Sequence, residues 1–136
     1  MTIERDELIS RLRISLASVP LRIAVLFGSR ARGSARADSD VDIAILPERD
    51  FTLGEENELA ASLSSAVGVE VDLVRLDRAD PLLAREVAVT GSVLFESRPG
   101  AFAAFRAGAI SEWLDFEEMI APHRTKFLAR LAGAGR

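Results

Sequence analysis

Three apolar runs of strand length, Leu21–Phe27, Val41–Leu46 and Val69–Leu76, stand among segments of helical periodicity, the first two runs being joined by a turn or short helix rich in Arg, Ala and Gly. Alternation of this kind calls for a sheet layered with helices. Two of the runs are interrupted by an aspartate: Asp42 lies in the second and Asp72 in the third. A charge inside an otherwise apolar strand is costly unless something pairs with it, so these positions also direct the functional reading.

The segments around the runs carry their own signals. Ile3 to about Ser18 reads as an amphipathic helix through Ile9, Leu12 and Leu16, closed by Pro20. Thr52 and Glu55 form a capping box that opens a helix to about Val67, with Gly68 as its C-cap. Asp80-Pro81 suits an N-cap followed by proline at the first helical position, and that helix ends at Gly91. Ser92–Glu96 adds a short strand. From Pro99 the pattern is helical, with Phe102, Phe105, Ala109, Trp113, Phe116 and Ile120 along one face. Pro122 ends or kinks this helix, and a last short helix carries Phe127, Leu128 and Leu131. The expectation is one α/β domain over residues 1–136, with a core of about 1–96 and a helical C-terminal extension over 97–136. The aromatic face of that extension is expected to serve partly as core and partly as a contact surface for a partner or a second copy.

Of the 136 residues, 49% are hydrophobic, enough for a real core, and none is cysteine. Disulfides and thiolate metal sites are thereby excluded. A metal would rest on carboxylates, carbonyls or the lone His123, a donor set suited to Mg²⁺ or Mn²⁺. His123, beside Pro122, reads as a surface residue. The charged stretch Met1–Glu7 does not resemble a secretory signal, and no apolar run approaches the ~20 residues that cross a bilayer. A soluble cytoplasmic protein without membrane contact is expected. The net charge of −4 argues against nucleic acid as a direct substrate.

Against that acidic background, Arg30, Arg32 and Arg36 crowd next to three aspartates. Gly28-Ser29 closes the first strand, where glycine permits close approach of a phosphate and the serine hydroxyl can donate to it. Arg30 and Arg32 are candidates to neutralise further phosphate charge. Asp40 and Asp42, two apart at the start of the second strand, share a face roughly 6.5–7 Å apart, while Val41 and Ile43 point into the core. Paired carboxylates of this kind can bridge two divalent ions, and Asp72 completes the set if its strand lies beside theirs. One ion would activate the attacking hydroxyl and the other would hold the triphosphate. Asp72 could also help take the proton from the acceptor. Asp38 reads as a turn or capping residue, Ser34 as structural, and Glu70 as solvent-exposed.

Gly28-Ser29, ten intervening residues and Asp40-x-Asp42, with Asp72 as third carboxylate, resemble the signature of the DNA polymerase β superfamily of nucleotidyltransferases. The motif covers about residues 21 to 76. The short chain resembles the minimal nucleotidyltransferases, or MNT proteins. Many of these are encoded beside a HEPN-domain RNase toxin and act as its antitoxin, MntA-like proteins among them. The resemblance implies a mixed sheet flanked by helices, Mg²⁺, and ATP as substrate. It assigns the triphosphate to Gly28 and Ser29 and the metals to Asp40, Asp42 and Asp72. For MntA-like members it further implies AMP transfer to a tyrosine of a HEPN partner.

Two rivals stand beside this reading. One is a binding module that silences its partner by occlusion with an idle site. The other is a nucleotidyltransferase for a small-molecule acceptor, such as an antibiotic, for which the chain is short. A dinucleotide-binding site is disfavoured, because Gly28–Gly33 lacks the middle glycine of Gly-x-Gly-x-x-Gly.

Overall fold

The computed structural model of the chain describes residues 3–32 and 40–134. Its elements are α1 (Arg5–Leu16), β1 (Leu21–Phe27), α2 (Ser29–Arg32), β2 (Val41–Pro47), α3 (Leu53–Val67), β3 (Val71–Arg75), α4 (Pro81–Thr90), β4 (Ser92–Glu96), α5 (Ala101–Ile120) and α6 (Arg124–Ala134). The strands form one mixed sheet in the order β3-β2-β1-β4. β1 runs antiparallel to β2 and β4, and β2 runs parallel to β3. This is the small mixed sheet flanked by helices, with a C-terminal helical extension, that the sequence leads one to expect.

Alternation along the strands divides the interior into two layers. Val41, Ile43 and Ile45 of β2 pack with Leu8, Leu12 and Leu16 of α1 and Leu59, Leu63 and Val67 of α3. Ala44 and Leu46 point the other way, with Ile23, Val25 and Phe27 of β1 and Val87 of α4, under Phe102 and Phe105 of α5. In α1 the buried row is Leu8, Leu12 and Leu16, so Leu8 takes the inward place that the periodicity had given to Ile9.

The helix signals hold locally. Thr52 Oγ1 accepts from the Glu55 N–H at 3.1 Å, and Glu55 Oε1 accepts from the Thr52 N–H at 3.1 Å. Gly68 ends α3 at φ +76°. The Asp80 carboxylate caps α4 by accepting from the Leu83 N–H at 2.8 Å. β3 is shorter than its apolar run. Its first two residues are spent in the crossing from α3, where the Glu70 carbonyl accepts from the Val41 N–H at 2.9 Å. Leu76 turns into a short 3-10 segment over Leu76–Arg78.

Two arginines tie layers together. The pairing of β1 with β4 passes from Ala24↔Phe95 to Val25↔Val93, which leaves Leu94 as a bulge. Arg13 of α1 donates to the carbonyls of Leu94 at 3.2 Å and Val93 at 3.3 Å. At the other side of the sheet Arg75 ends β3 with its side chain only 5% exposed. It donates to the Phe51 carbonyl at 3.0 Å, to Asp50 at 2.7 Å and to Asp77, with Glu56 at 3.3 Å. Hydrogen bonds to Asp77 and then Asp50 hold its pKa above the ordinary arginine value.

α5 is bent into α6 by a 3-10 turn over Ala121–His123, at the expected Pro122. Its apolar stripe is mostly covered: Ala109 and Ile120 are buried, and Phe102, Phe105, Trp113 and Phe116 are half-buried. Trp113 lies 5.8 Å from Phe116, centroid to centroid, and beneath the Arg85 guanidinium at 5.4 Å. The large apolar residues of α5 left in solvent are Leu114, 60% exposed, and Met119, 68% exposed. Among the described residues no helix is long and apolar enough to cross a membrane.

Replacing Arg75 by methionine is expected to lower the thermal midpoint by several degrees, because three carboxylates and a carbonyl lose a common buried donor. Arg49→Met, which removes a surface pair with Glu55, is expected to leave the midpoint almost unchanged. Melts of the two variants followed by circular dichroism compare the effects.

Candidate active site

The register of the sheet gathers the predicted residues at one end. Phe27, the last residue of β1, pairs with Asp42, and Asp42 pairs across the parallel ladder with Asp72. Gly28 follows at φ +74°, in the left-handed region that glycine adopts without strain. A Cβ at Gly28 would overlap the Asp42 carboxylate, so the Gly28 backbone lies directly against that side chain. Asp42 shares the parity of Ala44 and Leu46, and therefore projects on the α4/α5 side of the sheet.

Asp42 is half-buried, whereas Asp40 and Asp72 are exposed. Asp40 precedes β2 rather than standing within it, because the strand begins at Val41. Arg30 lies in α2 and is buried at 9% exposure, already engaged within the fold. The side chains of Ser29 and Arg32 lie outside the described residues, as do residues 33–39, which include Ser34, Arg36 and Asp38. Glu70 stands just before β3.

Burial, and then the carboxylates of Asp72, Asp40 and Glu86 in that order, hold the Asp42 carboxyl above its ordinary pKa. Glu86 comes from α4 and was not reached from the sequence. Its signal there was indirect: Val87 and Ala88 form the inward side of α4, and Glu86 adjoins them on the helix that covers the Asp42 face. Among the described residues no arginine or lysine forms an ion pair with Asp40, Asp42 or Asp72.

An uncompensated group of hard oxygen donors, one of them already disfavoured as an anion, is chemically suited to a divalent cation such as Mg²⁺. The arrangement is open: among the described residues no three acidic or histidine side chains gather closely enough to hold a metal ion. Mutual repulsion opposes such closure until a cation offsets it.

Comparison with known proteins bears on the same end of the sheet. The family described as "Polymerase beta, Nucleotidyltransferase" matches residues 16–99, which include Gly28, Asp40, Asp42 and Asp72. The chain belongs to this family. Among curated relatives it is 37% identical over 75 residues to the protein adenylyltransferase MntA of Shewanella oneidensis. That match covers 55% of this chain and 54% of MntA, so the chain spans about half the length of that relative.

Solved structures extend the likeness. One is a toxin–antitoxin with AMP-PNP, at a TM-score of 0.76 and 27% identity over 93% of this chain and 99% of the matched one. Another is a tri-AMPylated Shewanella oneidensis HEPN toxin in complex with MNT antitoxin, at a TM-score of 0.68 and 26% identity over 91% and 95%.

The raised Asp42 pKa has a stability consequence. The fold favours the protonated carboxyl, so its penalty is absent below the ordinary carboxylate range and grows as pH rises through it. Asp42→Asn is therefore expected to melt higher than the parent at pH 7 in chelator, with the advantage vanishing as pH falls below about 4. Melts of both proteins across that range test the sign. Gly28→Ala is expected to lower the midpoint by several degrees at pH 7, through a strained φ and displacement of the Asp42 carboxylate. The same melts measure it.

Proposed function

We propose that this chain transfers AMP from ATP to a hydroxyl of a HEPN-domain toxin, most naturally a tyrosine, and so acts as its antitoxin. The observation that carries this reading is the meeting of Gly28, Asp42 and Asp72 at one end of a polymerase-β-type sheet. The acceptor class is drawn from the toxin–antitoxin structures whose matched chains align with over nine-tenths of this one.

In this reading Gly28 and Ser29 cradle the triphosphate, and Arg30 and Arg32 add positive charge around it. Asp40, Asp42 and Asp72 would hold two Mg²⁺ or Mn²⁺ ions, which supply charge neutralisation for the triphosphate and acidify the acceptor hydroxyl. The acceptor oxygen bonds to the α-phosphorus as the bond to the bridging oxygen breaks and pyrophosphate leaves. Asp72, exposed on the outermost strand, takes the acceptor's proton. The chain works as one cytoplasmic domain, with residues 1–96 forming the catalytic core and residues 97–136 the extension. Leu114 and Met119, the exposed large apolar residues of α5, are available for contact with the toxin or with a second copy.

This chain contains no tyrosine. Incubation with labelled ATP and Mg²⁺ is therefore expected to leave it unlabelled and to label a co-purified HEPN partner. Asp42→Asn should reduce that transfer by about a hundredfold or more with the fold intact. If Asp40→Asn/Asp42→Asn still neutralises the toxin fully, occlusion replaces catalysis as the explanation.

A further inference from the structure

The α4/α5 face of the sheet carries a groove away from Asp42. Asp42 stands at the start of β2, and Leu46, four residues on and about 13 Å along the strand, floors a groove of about 580 Å³. Ile23 and Phe105 complete an apolar floor. Arg22, Glu48 and Arg98 stand exposed around the rim.

The rim is electrostatically unfinished. Among the described residues Arg22 and Arg98 have neither an ion pair nor a side-chain hydrogen bond, and Glu48 is bonded to neither of them. Two guanidiniums against one carboxylate leave a positive rim over an apolar floor, on a chain of net charge −4.

We propose that this groove docks a segment of the acceptor protein in which a large apolar side chain is flanked by carboxylates. The apolar side chain would bury itself on Ile23, Leu46 and Phe105, and the carboxylates would meet Arg22 and Arg98 in the forked geometry that guanidinium favours. A small anion would gain only the rim contacts, which solvent screens, and would leave the floor wet. The groove and the Asp42 end are on one sheet face, so a folded acceptor can rest on the first while presenting a hydroxyl to the second. The word acceptor rests on the transfer reading above; the binding of the segment does not.

The test therefore has two arms. In the first, a capped peptide with phenylalanine between two aspartates is titrated into isotope-labelled protein. The amides of Ile23, Ser97 and Ala104 are expected to shift while those of Gly28 and Asp42 do not, and Arg22→Glu/Arg98→Glu should abolish the shifts. No shift at millimolar peptide, or an undiminished shift in the double variant, overturns the proposal. So does equal or tighter binding of inorganic phosphate or AMP in the groove. In the second arm, the double variant is expected to raise KM for the protein acceptor at least tenfold, with kcat and the thermal shift by Mg²⁺-ATP unchanged. An unchanged KM overturns the exosite role. If no protein is labelled even by the parent, the transfer reading has failed, and the peptide arm still decides the groove.

Discussion

The parallel ladder between β2 and β3 sets two like charges directly opposite one another, a placement that destabilises a sheet in isolation. Asp42 and Asp72 are held there because everything around them fixes the register. Val41, Ile43 and Ile45 lock β2 into the α1/α3 layer, and a slip of one residue would turn those side chains out of the core. α3 carries the chain between the strands and is capped at both ends, by Thr52 with Glu55 and by Gly68. Arg75 then anchors the end of β3 to the loop that precedes α3. The repulsion at the mouth of the site is thus sustained by apolar packing and a buried cation elsewhere. This is how a fold keeps negative charge available for a cation.

Much of this was legible in the chain itself. β1 was readable end to end because an apolar run met a glycine, and α3 and α4 because their capping residues satisfy backbone N–H groups by local chemistry. The adjacency of β2 and β3 followed from asking what an aspartate could be doing in each strand. Other features depend on distant partners and left no local trace. Arg75 reads as an ordinary residue at the end of an apolar run, and only the fold brings Asp50, Glu56 and Asp77 around it. Glu86 approaches Asp42 through the packing of Val87 beneath α4, and its place beside Val87 in the chain is only an indirect sign of that. The covered state of Trp113 depends on Arg85 of α4 lying over the ring.

Gly91 belongs to the same class. Its backbone is in an unstrained region at φ −71°, so conformation does not call for glycine. A Cβ there would overlap the Val87 carbonyl and the Val25 side chain, and close contact between α4 and β1 is what excludes one. Through that contact α4 is drawn down onto the Asp42 side of the sheet. The glycine that ends a helix in sequence thereby sets how closely a wall of the candidate site approaches its floor.

The bulge at Leu94 bears on how the protein behaves in a crowded solution. β4 is the last strand on its side of the sheet, and an unpaired strand of this kind is a template for a neighbouring chain. The bulge disturbs the regular repeat of donors and acceptors, and Arg13 already occupies the carbonyls of Val93 and Leu94. An incoming strand would have to displace a guanidinium anchored on α1 and then fit a ladder with an extra residue in it. One arginine on the first helix thus occupies acceptors that a strand added at that edge would need.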